Sequence, residues 1–473
     1  MRSGILFTTS IPAVLISLAP LSLAQERKER PFELRRRETQ DRVGGVPEEV
    51  LKLQSLEKVR LPSLDEAIEE ALRAAREAAR PLIDRKFHDG RRFEVPGDFE
   101  TIQAALDVAK PRDAVIVAPG TWFELLTVPD GVKLVSASSD GGDELVAVEG
   151  ARLKLPRRAL RTILDGSRSE PSRQGMFDFA PGAGRTTIVD GFTIRNLPEQ
   201  NHHLPGHAHG LNMRGASPVI MNCYIRKNGS TGIGNHALYR DQGSPLEKRD
   251  FRGANVEHPA SALIFGNIIR NNLGLGIGCN HLSSPWILGN EVCGNDDSKL
   301  GELPSPGIGA QHGASPTIIG NLVHGNPGGG ILAKLGESQG AHAIDRRTRP
   351  TVMKNVVWAN GSLRPGISCS GGGSMREPVR LTGNFVKDSG AVGIGLADGA
   401  TGVIEANLVC SSRQAGIAVV QSTALLLDRN QVTGAGAPGF VIVSGSLVLE
   451  MRGNAANSNR GPRFLLRESR IGK

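Results

Sequence analysis

Aromatic residues make up only 4% of this 473-residue chain, with 3 Trp and 2 Tyr. That scarcity leaves thin strands of small residues, and it denies the chain the aromatic-rich basic motif that single-stranded nucleic-acid binders use. Cysteine is also sparse: Cys223, Cys279, Cys293, Cys369 and Cys410 are an odd number without compact spacing, so they read as small buried core residues rather than a disulfide framework. No continuous apolar run after the first two dozen residues approaches the length of a membrane span, so no transmembrane segment is expected in the mature chain. Glycine follows no collagen-like triplet. Fixed zinc-finger or metalloprotease spacings are missing, and so is a glycine–aspartate calcium repeat. The formal charge of +8 is diluted among 48 acidic residues, which favours an anionic partner without pointing to nucleic acid, and none is expected.

Glycine is what the chain has in quantity, 59 residues in all, the mark of many tight turns. Arg2, an apolar run from Ile11 to Leu23 and the small residue Ala24 form a secretory signal pattern over 1–24, which predicts export to the periplasm or the extracellular space. Residues 25–92 read as a charged arm, with Arg35, Arg36 and Arg37 in a row, carrying one amphipathic helix at 63–80. Ser63 and Glu66 make a capping box there, and Leu64, Ile68, Leu72 and Ala75 follow at helical spacing. A second short helix from Phe99 to Leu106 suits a cap over the exposed end of a solenoid.

An internal repeat decides the fold class. Asn267, Asn290, Asn321, Asn355, Asn384, Asn407 and Asn430 fill one slot, several of them 23 residues apart. A glycine-preceded slot follows ten residues later, filled by Ile233, Ile277, Ile308, Ile331, Ile367, Ile394, Ile417 and Phe440. Three short β segments per period and no helix exclude ankyrin and tetratricopeptide arrays, and the leucine-rich pattern is missing. The expected fold is all-β, a right-handed parallel β-helix over 93–460 with a short N-terminal helical cap and arm and a C-terminal tail over 461–473. Asn in the first slot is read as a structural amide ladder.

The run Phe99-Glu100-Thr101-Ile102-Gln103-Ala104-Ala105-Leu106-Asp107, the strand Val115-Ile116-Val117 with Pro119-Gly120-Thr121, and the coils at Ser217-Pro218 and Ser315-Pro316 resemble pectate-lyase-like right-handed parallel β-helix proteins. That superfamily includes polyuronate lyases, glycoside hydrolases, uronate epimerases, adhesins and a periplasmic copper-site maturation factor. The resemblance therefore implies the fold and leaves the activity open.

Stacking the repeats brings distant residues onto one face. One place after the glycine-preceded slot, Gly234, Gly278, Gly309 and Gly395 form a column that reads as a bare floor. Three places after it stand Arg214, His236, Asn280, Gln311, Lys334 and Ser370, with His281 and His312 next at the turn. Cations, imidazoles and amides beside a smooth floor suit a sugar chain, although an ordinary polar solvent face would look alike. Insertions after Ile233 and Ile331 leave the same edge three coils apart, ~14 Å at about 4.8 Å per coil. The first carries Tyr239 and Arg240 as candidate substrate contacts.

The leading expectation is an exported protein acting on an anionic polysaccharide, with uronate β-elimination the most concrete reaction. Arg214 and Lys334 would neutralise the carboxylate, and His236, His281 or His312 would take the proton. Asp241, Asp250, Asp296 and Asp297 keep glycoside hydrolysis open, and a non-catalytic glycan binder fits the same groove. A divalent cation on His202, His207 and His209 would instead make a periplasmic metal-handling protein.

Overall fold

The computed structural model describes residues 61–83, 87–138, 143–170, 175–198, 209–239, 256–296, 304–334 and 348–472, all within the unit Val46–Lys473. The described residues form a right-handed parallel β-helix. Three parallel sheets run its length: sheet I with 15 strands, and sheets II and III with 12 each. Each coil contributes one strand to each sheet in the order I, II, III, as in Leu263–Phe265, Ile268–Arg270 and Ile277–Asn280. The alternating β period sends Ile220, Ile264, Ile287 and Ile318 of sheet I inward, together with Ile233, Ile277 and Ile308 of sheet III, into one continuous core.

The turn from sheet I to sheet II is two residues long. The first takes a left-handed conformation, often as glycine (Gly266, Gly289, Gly320), and the second is the buried asparagine. Asn321 shows the pattern. Its Nδ2 donates to Ile287 O at 2.8 Å and to Asn355 Oδ1 at 3.0 Å, while its Oδ1 accepts from the N–H and Nδ2 of Asn290 at 2.9 and 3.0 Å. The expected ladder is present from Asn267 to Asn454. A second ladder, not anticipated, follows sheet II five residues later through Asn228, Asn272, Asn295, Asn326 and Asn360.

Helix α1 spans Leu64–Ala79 with the predicted capping box: Ser63 Oγ accepts the Glu66 N–H at 3.2 Å, and the Glu66 carboxylate accepts the Ser63 N–H at 2.7 Å. It runs along the stack of coils. Ala67, Ile68 and Ala71 pack on Leu322, Val356 and Phe385, and Ala75 and Ala79 on Leu288, Leu263 and Val219. Gly320 permits this approach, since a Cβ there would sit 2.1 Å from Ala71 O.

Helix α2 spans Ile102–Val108 and buries Ile102, Ala105 and Leu106 over the first coil, the role expected of a cap. It starts later than the sequence suggests because Thr101 is the N-cap, its Oγ1 accepting the Ala104 N–H at 3.2 Å. At the other end the solenoid passes the expected boundary at 460. Strands Phe464–Arg467 and Arg470–Ile471 extend sheets III and I, because apolar Phe464 stacks on Phe440 with ring centroids 4.8 Å apart. All five cysteines are free and buried, and burial pushes the thiols of Cys223, Cys293 and Cys369 up to about 12.

Candidate functional site

The outer face of sheet III carries the polar side chains that the repeat alignment stacks. Strands Leu211–Arg214, Ile233–His236 and Ile277–Asn280 pair so that Arg214 lies opposite His236, and His236 opposite Asn280. Gln311 follows by one residue the strand Ile308–Ala310, its N–H donating to Cys279 O at 2.9 Å. Lys334 lies opposite Ser370 of the next coil. Arg214 and Lys334 are exposed, whereas His236, Asn280 and Gln311 are half-buried.

Four imidazoles line this face in succession, His209, His236, His281 and His312, with centroid separations of 5.5, 5.6 and 5.0 Å. His209 and His236 make the closest approach, with Nε2 atoms 3.3 Å apart and ring planes within 4°. Face-to-face rings with centroids 5.5 Å apart could not bring two nitrogens so close, so these rings meet edge to edge, one Nε2–H donating to the other's lone pair. Behind them Ser230 Oγ lies 3.5 Å from His209 Nδ1. His281 and His312 occupy a turn position with φ of 51° and 54° that other coils fill with Gly215, Gly371 or Asp398.

The glycine column is in register as aligned, Gly234 with Gly278 and Gly278 with Gly309. It is not the bare floor expected. A Cβ on Gly234 would lie 2.0 Å from His209 Cδ2, and one on Gly309 2.2 Å from Leu275 Cδ2, so both positions are roofed by side chains. Gly278 alone of the three meets only ordinary contacts, at 3.7 Å and beyond. Past Gly309 the column continues through Leu332 and Ser368 before Gly395.

In the other direction the same column reads Asn212 and then Asp178. Asp178 accepts the Gly175 N–H at 3.2 Å. Burial holds its carboxyl above the usual carboxylate range, against the opposing effects of the Gly175 N–H, the Asn212 side chain and the Arg214 charge. Repeat alignment missed Asp178 because its strand, Phe177–Phe179, is preceded by Met176 instead of glycine. The coil that links it to Leu211 is also 34 residues long, outside the 23-residue period.

Of the residues singled out from sequence, His202, His207, Arg240, Asp241, Asp250 and Asp297 lie outside the described residues, as does the Tyr239 side chain. His209 turns its Nε2 to His236. Among the described residues the group with metal-ligand geometry lies elsewhere: Glu291, Cys293 and His324 on sheet II, with ligand atoms within 4.8 Å of one another. The Glu291 carboxylate there is already engaged, accepting from the Arg152 N–H, the Leu153 N–H at 2.6 Å and His324 Nε2 at 2.9 Å. It pins the segment 148–161 to the sheet, where Ala159 and Leu155 pack on Ile268.

Asparagine ladders, parallel coils and a polar outer face on sheet III define a right-handed parallel β-helix protein. Residues 337–470 match the family model described as "Right handed beta helix region". Residues 94–340, more than half of the chain, match the model described as "Protein of unknown function (DUF1565)", and the chain belongs to that family. No curated protein sequence matches it. Among solved structures, the catalytic unit of the thermostable GH87 alpha-1,3-glucanase from Streptomyces thermodiastaticus strain HF3-3 is similar at 11% identity and a TM-score of 0.45, over 78% of this chain and 66% of that one. The mannuronan C-5 epimerase AlgE6 A-module of Azotobacter vinelandii is similar at 16% identity and a TM-score of 0.34, over 79% and 94%. Pectate lyase Pel9A is similar at 10% identity and a TM-score of 0.34, over 80% of each chain. At these levels the likenesses assign no chemistry.

Proposed function

We propose that this chain is an exported enzyme that acts on an acidic polysaccharide laid across sheet III, removing the proton beside a uronate carboxylate. The single observation that carries this reading is the His209–His236 pair, two imidazoles joined nitrogen to nitrogen, with Arg214 opposite His236 and Asp178 beyond Asn212 in the neighbouring column. When one ring of such a pair takes up a proton, the nitrogen-to-nitrogen link shares the charge between both rings. Arg214, opposite His236 in the ladder, is placed to neutralise the sugar carboxylate, which lowers the cost of charge developing at the adjacent carbon. Asn212, Asn280 and Gln311 supply donors and acceptors for hydroxyls, and Lys334 extends the positive face.

In β-elimination the C5–H electrons become the C4=C5 double bond, the C4–O bond breaks, and the departing oxygen needs a proton. Asp178, whose raised pKa keeps the acid form to higher pH than an ordinary aspartate, fits that donor. His281 and His312 continue the imidazole line towards Lys334 and contact the neighbouring sugar. Purified protein incubated with polygalacturonate, alginate and neutral glycans tests the reading. Ultraviolet-absorbing unsaturated products from a uronate polymer support it; reducing ends without them mark a hydrolase, and retention without product marks a glycan-binding protein.

A further inference from the structure

A second charged lane runs along sheet II, on a different face from His209, His236, His281 and His312. Arg195, Arg226 and Arg270 occupy one outward column in direct register, Arg195 beside Arg226 and Arg226 beside Arg270. Adjacent strands stand about 4.8 Å apart, so three like charges are stacked where each repels the next. Only Arg195 is neutralised, by Asp165 at 2.7 Å. Arg270 donates from Nη1 to the Glu149 carbonyl at 2.7 Å, a neutral acceptor, and its guanidinium lies under Gly150. Arg226 has no hydrogen-bond acceptor among the described residues and rests over the Tyr224 ring, 5.2 Å from its centroid. The Nε atoms of both Arg226 and Arg270 are buried without an acceptor. Beyond them the column continues through Cys293, whose thiol burial pushes up to about 12, then His324, Trp358 and Lys387. The column itself holds no acidic side chain from Arg195 to Lys387; the nearby Glu291 carboxylate is taken up by the Arg152 and Leu153 N–H groups and by His324 Nε2.

The cost of this arrangement is offset when an anion lies across it, since guanidinium groups present paired donors to planar or tetrahedral oxyanions. We infer that Arg226 and Arg270 form a second binding site, one that takes the carboxylate or sulfate groups of an acidic polysaccharide aligned with the solenoid axis. The basic side chains Arg226 and Arg270 and, four coils on, Lys387 stand in one line along the axis, which favours an extended polyanion over a compact ligand. Such a site anchors polymer on sheet II while leaving sheet III free for chemistry, so its failure and that of the proposed reaction are separable.

The test is titration of the full chain with polygalacturonate, dextran sulfate and uncharged dextran at several salt concentrations, for the wild type, Arg226→Gln and Arg226→Gln/Arg270→Gln. Affinity for an acidic polymer is expected to fall about tenfold per arginine removed, and the slope of log affinity against log salt to decrease by about one each. Loss on polygalacturonate alone assigns carboxylates; loss on dextran sulfate as well assigns oxyanions generally. Removing one of three repelling charges should not harm folding, which circular dichroism checks, and Arg226→Lys should lose less affinity than Arg226→Gln. Turnover of short oligouronates is expected to stay at the wild-type rate in the double variant, whereas His209→Gln/His236→Gln should lose turnover and keep the arginine-dependent binding. Unchanged affinity and salt slope in the double variant overturn the assignment. So does equal, arginine-dependent binding of a DNA duplex, which would reduce the lane to a general polyanion surface.

Discussion

Replacing Gly234 by alanine should disable the site while barely disturbing the fold. The new Cβ would lie 2.0 Å from His209 Cδ2 and 2.6 Å from its Nε2, where ordinary contact begins near 3.4 Å. The imidazole must retreat by more than an ångström, and the 3.3 Å link to His236 cannot survive that movement. Misplacement on this scale typically costs about 100-fold in rate. Gly234 sits in a strand without a left-handed φ, so alanine is tolerated by the backbone and should even add roughly 0.5–1 kcal/mol of stability before the clash is counted. Gly278→Ala is the matched control, one coil away in the same column, where a Cβ meets only Thr231 and Asn280 at 3.7 and 3.8 Å. The assay is the initial rate of unsaturated product formation, with thermal unfolding measured alongside. Wild-type rate in Gly234→Ala, or an equal loss in both variants, would refute the argument that the pair depends on this close fit.

Asn321→Ala removes the donor to Ile287 O and the acceptor of two bonds from Asn290, all fully buried, and should destabilise the protein by about 3–5 kcal/mol in denaturant melts; a loss under 1 kcal/mol would show that the ladder is ornamental. Asp178 gives a pH signature. Because burial raises its folded pKa above the unfolded value, its contribution to stability is complete below the ordinary aspartate pKa and is lost as pH rises through the folded value. Asp178→Asn should therefore flatten that decline in a pH series of thermal midpoints and lower product formation. Parallel curves for wild type and variant would contradict the shift.

The solenoid was legible because its first ladder and its glycine-preceded slot repeat in sequence: Asn267 to Asn430 occupy the same corner, and Arg214, His236 and Asn280 stand in one column as aligned. What escaped was set by contacts between coils. The sequence puts His209 among the candidate metal ligands of a histidine-rich loop, yet its ring lies over Gly234 and faces His236. Asp178 was lost because Met176 replaces the marker glycine. The second ladder was present as asparagine five residues after the first, in the pairs Asn267 and Asn272 or Asn290 and Asn295, but no turn chemistry demanded it. Helix α1 showed its apolar face in sequence, though not that the face lies along the coils, because Gly289 and Gly320 read as turn residues before they read as clearance for a helix.

The claim that this face removes a proton from carbon is tested most directly by comparing a polyuronate carrying hydrogen with one carrying deuterium at C5, under single-turnover conditions. The account predicts a severalfold slower reaction on the deuterated polymer, and loss of reaction on both in His209→Gln/His236→Gln. Equal rates on the two polymers, or a double variant as active as the wild type, would contradict it.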